Sequence, residues 1–269
     1  MSKPAIKRLL FIIILLVHVA CVLDSFPPRL CSASEPPIGG DTAHYYASTM
    51  STVYTGRSWG YDPMNMAGYP HGLWNSMGKK GYELCHRVLP MIPLPMLLYL
   101  IYVFFGLITP LVTWAAVRWA CDDKDFVPEA ILTHTDAPGK KRWSSWLSLT
   151  LLPSCILMWH FSTWITYIWT FGSIFYSTSA YLMVVVLALA WKSTKAGFAP
   201  VLGIVLGLAV GLIFYLHTVI LVAGIVPLAL LLLYRLKGEN RKPVLLTIGV
   251  SWLVFFVVIL PWLIPLLTN

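Results

Sequence analysis

The sequence predicts an all-α, polytopic helical membrane protein. Three observations carry this. Apolar residues make up 58% of 269 positions while only 11% are charged, well under the ~25% charge of a soluble domain. The apolar residues fall in runs of about twenty, the length that crosses a ~30 Å hydrocarbon core. The Lys and Arg gather in alternate loops, as the positive-inside rule requires.

The first run, 6–23, follows Lys3 and carries Lys7 and Arg8 at its start. Its apolar stretch exceeds the 7–15 residues of a signal peptide, and His18-Val19-Ala20-Cys21 is a poor lipoprotein box, so an uncleaved span with a cytoplasmic N-terminus is expected. Further spans are expected at 89–117, 146–168, 171–191 and 244–267. Residues 199–234 are apolar almost without a break, about 54 Å at 1.5 Å rise. That is too long for one crossing, so two spans are expected with a division near His217, although no Gly or Pro marks it. The total is about seven transmembrane helices, arranged as a single module over 1–269.

Orientation follows from charge. Segment 24–88 holds Arg29, Arg57, Lys79, Lys80 and Arg87, matched by Asp24, Glu35, Asp41, Asp62 and Glu83, and is neutral. The other basic residues of a total of 19 lie near the N-terminus, in 118–145, at Lys192 and Lys195, and in 235–242. The first segment is then the outer loop and 118–145 a cytoplasmic loop, in a plasma (inner) membrane protein. The net charge of +8 belongs to these inner loops. No basic stripe with interleaved aromatics suggests nucleic acid. The five cysteines include no Cys-x-x-Cys pair, so no zinc site is expected. Cys31 and Cys85 share the oxidising side, where a disulfide between them is one expectation.

The long outer loop is where function is expected, because connections between spans are usually short. Within it Ala43, Tyr46, Ala47, Met50, Val53 and Tyr54 recur at helical spacing, predicting one apolar stripe on an interfacial helix. Asp41 would cap its start and Gly56 its end. As a cap alone Asp41 contributes about 1 kcal/mol. As a carboxylate held above the membrane it can also take a proton from an acceptor hydroxyl. His44, one turn on, is a second catalytic candidate, or else a hydrogen-bonded surface residue. Asp62-Pro63 and Pro70-His71-Gly72 read as turns, with Asp62 and His71 as candidate substrate-binding groups. Arg57, Lys79, Lys80 and Arg87 are candidate phosphate ligands, or serve only loop solubility.

In the apolar part, Gly203, Gly207 and Gly211 form overlapping Gly-x-x-x-Gly motifs suited to close helix packing. Past Lys7 and Arg8 at the start of the first, the spans carry no Asp, Glu, Lys or Arg, only His18, His160 and His217, which argues against ion-coupled transport. His160 reads as a hydrogen-bonded contact between helices. Trp159, Trp164, Tyr167, Trp169, Phe171, Phe175 and Tyr176 are expected as an aromatic belt, or as the wall of a groove for a polyprenyl chain.

The order of these features matters. An N-terminal span, Gly39-Gly40-Asp41-x-x-His44-Tyr45, a helix, Gly60-Tyr61-Asp62-Pro63-x-x-x-x-Gly68-Tyr69-Pro70 and a second span resemble the GT-C superfamily of integral-membrane glycosyltransferases. The likeness covers about 6–118 and is nearest to bacterial members in which an acidic residue follows Gly and a W-[ND]-P…G-[YF]-P segment comes about twenty residues later. Here Tyr61 replaces that tryptophan and Trp59 stands two positions earlier. The resemblance implies inverting transfer of a sugar from a polyprenyl-phosphate donor on the outer face, with Asp41 as the catalytic carboxylate. Membrane lipids and the polyprenyl-phosphate-linked sugar are the implied partners; oligomeric state is not legible. No Asp-x-Asp stands in the outer loop, so no divalent cation is supported by a motif, and no cofactor is expected. The Asp-Glu pair of mannosyltransferase-like members is absent because Thr42 follows Asp41, and Asp122-Asp123 lies on the inner side. Many members continue with more spans, so a fragment or reduced member is expected. Noncatalytic scaffold or assembly subunit, and lipid or solute transporter, are the alternative functions.

Overall fold

The computed structural model describes residues 3–31, 34–35, 41–55, 60–62, 69–71, 78–121, 145–161, 174–195, 198–237 and 241–268. Among these are eight α-helices: α1 (Lys3–Ser25), α2 (Asp41–Thr55), α3 (Gly78–Val88), α4 (Leu94–Cys121), α5 (Ser145–Phe161), α6 (Ile174–Lys195), α7 (Pro200–Leu236) and α8 (Arg241–Thr268). Two three-residue strands, β1 (Gly60–Asp62) and β2 (Tyr69–His71), pair antiparallel between α2 and α3. Five helices, α1, α4, α6, α7 and α8, are long and apolar enough to cross a membrane, which marks a multi-pass membrane protein. The third expected span is represented by α5 over 17 residues; the rest of it lies outside the described residues.

The double-length apolar run is one helix broken in its middle. His217 has φ −162° and ψ 98° inside α7, an extended conformation open to any residue, which is why no Gly or Pro announced it. In a straight helix Leu206 and Leu228 would stand about 33 Å apart. Instead Leu206 and Gly207 line the same cavity as Leu228 and Leu232, so α7 folds back at His217 into two limbs. The expected division falls at that residue.

The first limb lies against α8 through its glycines. A Cβ on Gly203 would come 3.1 Å from the Thr247 carbonyl oxygen, one on Gly207 2.5 Å from that of Ser251, and one on Gly211 2.6 Å from Val258 Cγ1. Only glycine permits this approach. The second limb faces α6, where Tyr176 meets His217 with ring centroids 4.9 Å apart.

Most of the exposed surface of α1 is apolar, including Ile12, Ile13, Leu16 and Val17, while His18, Val22 and Phe26 are buried. The turn Pro28–Leu30 follows α1. Tyr99 Oη donates to the Phe26 carbonyl at 3.0 Å, fixing the end of α1 against α4. The largest core cluster lies here: Phe26, Tyr45, Tyr82, Tyr99, Tyr102, Trp159, Ile174 and Phe175 draw α1, α2, α3, α4, α5 and α6 together.

The aromatic-belt expectation is corrected for two residues. Trp159 and Phe175 are 2% and 1% exposed; Trp159 packs edge-on against Tyr181 and Phe175 against Tyr82, an arrangement that favours the core over the interface. Trp164, Tyr167, Trp169 and Phe171 lie outside the described residues. A girdle is present at the other end. Arg118 sits over Trp114, Lys192 over Trp119 and Arg235 over Trp191, each pairing a basic residue with an aromatic one as at a membrane surface.

Candidate functional site

The helix expected between the first two spans exists, and it begins at Asp41. Asp41 is its first residue rather than the residue before it, a shift of one position at a helix end; Gly56, its expected C-cap, lies outside the described residues. The stripe lies on the outward face, the side an interfacial helix turns to lipid. Ala43, Ala47, Val53 and Tyr54 are exposed, with Tyr46 and Met50 half-buried, and the protein buries Tyr45, Ser48, Thr49, Ser51 and Thr52. Helix α2 therefore turns hydroxyls inward and apolar groups outward. Periodicity identifies which residues share a face, not what that face meets.

The inward face docks on α3. Thr52 Oγ1 donates to Glu83 Oε1 at 2.9 Å, and Glu83 is 5% exposed. Tyr45, Tyr82 and Phe175 pack as a ring triad, with centroids 5.8 Å apart for Tyr45–Tyr82 and 4.7 Å for Tyr82–Phe175. Burial holds the Tyr82 hydroxyl protonated well above its usual range, and burial also raises the Cys85 thiol. Within this same region Ser48 Oγ and Thr49 Oγ1 on α2, and Ser177 Oγ, Thr178 Oγ1 and Ser179 Oγ near the start of α6, are buried without a hydrogen-bond partner among the described residues. A buried hydroxyl left unanswered costs about 1–3 kcal/mol.

His44 is half-buried, one turn after Asp41, with its ring 6.1 Å from that of Tyr45. Asp62 closes β1 opposite Tyr69, and His71 closes β2 opposite Gly60, so the hairpin sets these two candidates at opposite ends. Pro70 and His71 thus belong to a strand, not to the expected turn; Pro63 lies outside the described residues. Lys79 and Lys80 occupy the first turn of α3 and Arg87 its last, exposed. Arg57 lies outside the described residues. Lysines at a helix start oppose its dipole, a placement that an anion would relieve.

Sequence reasoning read 56–88 as loop and so missed α3 and, with it, Glu83. The signal was slight: Tyr82 and Cys85 are three apart, but a glutamate stands between them. The expected Cys31–Cys85 disulfide is not formed. Both are free thiols at the edge of the aromatic cluster, where ring packing rather than a bridge joins their elements. Among the described residues no group of three or more His, Cys, Asp or Glu is placed to hold a metal. Comparison with known family models, curated proteins and solved structures finds no match.

Proposed function

We propose that this chain is a membrane glycosyltransferase that moves a sugar from a polyprenyl-phosphate donor to an acceptor on the outer face, in the manner of the GT-C superfamily it resembles. The observation that carries this reading is the orientation of helix α2. The helix starts at the candidate carboxylate, buries Ser48, Thr49 and Thr52, and leaves Ala43, Ala47, Val53 and Tyr54 outside. Such a helix suits the boundary between lipid and a polar, hydroxyl-lined site. In this reading Asp41 accepts the proton of the acceptor hydroxyl, whose oxygen attacks the anomeric carbon from the face opposite the phosphate. The sugar–phosphate bond breaks with inversion, and the polyprenyl phosphate departs with the bonding pair. Lys79 and Lys80 at the start of α3 are its nearest candidate ligands in kind, since a helix N-terminus and two ammonium groups both favour a phosphate. His44 orients or relays, and Asp62, His71, Arg57 and Arg87 contribute to substrate binding.

The proposed topology has seven crossings, with the two limbs of α7 crossing separately and the segment from α2 to α3 outside. Cysteines introduced at Ser76 and Ala137, in a background lacking the native thiols, test it. An impermeant reagent on intact cells should label the first and spare the second; the reverse would invert the orientation.

Asp41→Asn tests the chemistry. Asn caps a helix about as well as Asp, so insertion and expression should persist. Without the proton acceptor, transfer from a polyprenyl-phosphate sugar should fall about 10²–10⁴-fold. Asp62→Asn should do less. Transfer by Asp41→Asn at the parental rate would remove Asp41 from the mechanism.

A further inference from the structure

The two limbs of α7 and the adjoining face of α8 border a half-open cavity of about 340 Å³, a size that holds a small ligand. Its walls include Gly207 and Val210 of the first limb, Leu221, Leu228 and Leu232 of the second, and Phe255 of α8. The one hydroxyl in the wall, Ser251 Oγ, lies 2.9 Å from the carbonyl oxygens of both Gly203 and Thr247, and its single proton is shared between them. Nothing polar is left for an occupant to satisfy, so the occupant is hydrocarbon.

The depth and the mouth say which hydrocarbon. From Leu221 to Leu232 the second limb rises about 16 Å, close to half of a ~30 Å bilayer core and thus to one leaflet. The stripe Leu221, Leu228, Leu232 reaches Arg235 one turn later, about 4.5 Å beyond the cavity. The Arg235 guanidinium lies 4.0 Å from the Trp191 ring centroid, and its Nε and Nη2 are buried without a hydrogen-bond partner among the described residues. Lys237, Arg241 and Lys242 follow within seven residues and are exposed, while α6, α7 and α8 contain no Asp or Glu and Glu239 is the one acid between α7 and α8. A groove one leaflet deep, apolar along its walls and ending in a basic segment, is complementary to an anionic lipid.

We propose that this cavity holds one acyl chain of an anionic phospholipid whose phosphate is bound at Arg235. The site is separate from the outer segment and does not depend on the catalytic reading. Lipid in the cavity would hold the fold-back at His217 in place, since its wall comes from both limbs.

The test uses the full chain purified in detergent, with dioleoyl phosphatidylglycerol and dioleoyl phosphatidylcholine titrated and bound lipid counted by native mass spectrometry. The parent should bind phosphatidylglycerol about ten-fold more tightly, as one charge-assisted contact to phosphate provides. Arg235→Gln should erase that preference, and Ala229→Trp, which fills the cavity, should reduce binding of both lipids. Equal binding of the two lipids by the parent, a preference retained by Arg235→Gln, or undiminished binding by Ala229→Trp would overturn the proposal. A phosphatidylglycerol with a photoreactive acyl tail keeps the test valid should Ala229→Trp not fold. In the parent it should label the segment 248–255; labelling only elsewhere, or capture of a second copy of the chain in that cavity, would equally overturn it.

Discussion

His18 of α1 and His160 of α5 share a hydrogen bond, Nδ1 to Nε2, at 2.8 Å. The direction of this bond follows from a second one. His18 Nε2 lies 3.0 Å from the Leu107 carbonyl oxygen of α4, and a carbonyl only accepts, so Nε2 carries the His18 proton. Nδ1 of the neutral ring is then the acceptor, and His160 Nε2–H donates to it. Three helices distant in sequence are clasped by one imidazole that is 1% exposed. In the apolar interior an imidazole nitrogen without a partner is costly, so the pair acts as a unit.

Replacing one member should therefore cost more than half of replacing both. His160→Leu leaves a buried acceptor unanswered and should lower stability by about 1–2 kcal/mol, while His160→Gln, whose amide can donate, should retain most of it. The double variant His18→Leu, His160→Leu should fall short of the sum of the singles. Thermal unfolding in detergent measures all four proteins. Strict additivity would show that the two rings do not act together.

The glycine face gives a second expectation with an internal control. A Cβ on Gly207 would meet the Ser251 carbonyl oxygen at 2.5 Å and Val254 Cβ at 2.8 Å, whereas one on Gly249 would meet nothing within 4 Å. Gly207→Ala should force α7 and α8 apart and cost about 1–3 kcal/mol. Gly249→Ala should be neutral or gain up to about 1 kcal/mol from helix propensity. The same unfolding measurement decides, and equal effects at both positions would refute the close approach.

What the sequence made legible follows from the range of the forces involved. Span lengths and the division at His217 came from hydropathy and from a rise per residue, which are local. The glycines at 203, 207 and 211 were legible because close approach admits no larger side chain. The start of α2 at Asp41 and its apolar stripe were legible from helical spacing, but what its hydroxyl face meets was not. The partner of Thr52 on that face is Glu83, 31 residues on, beyond the reach of any local pattern. Strands of three residues and an 11-residue α3 carry too short a pattern to stand out from loop. For the site, a carboxylate beside a helix start marked the place; the buried hydroxyls and their partner on α3 depend on tertiary contact and left no periodic trace.

The Thr52–Glu83 contact yields the last expectation, which separates positioning from chemistry. Glu83 is linked to α2 by the Thr52 hydrogen bond, and through it to the start of the helix at Asp41. Glu83→Ala leaves Thr52 Oγ1 only the Ser48 carbonyl oxygen of its own helix, 3.3 Å away, and removes the hydrogen bond between the helices, which should cost about 1 kcal/mol and loosen α2 from α3. Amide hydrogen exchange along 41–55 should then accelerate while exchange in α4 and α6 stays unchanged. Glu83→Gln keeps an oxygen that can accept from Thr52 Oγ1, so it should preserve both protection and transfer, and Thr52→Val should reproduce the Ala variant. A proton-transfer role predicts the opposite pattern, in which Gln fails as badly as Ala because the charge rather than the acceptor is what matters. If Glu83→Gln abolishes transfer while α2 remains protected, Glu83 belongs to the chemistry, and the carboxylate chosen at Asp41 would have to share that role with it.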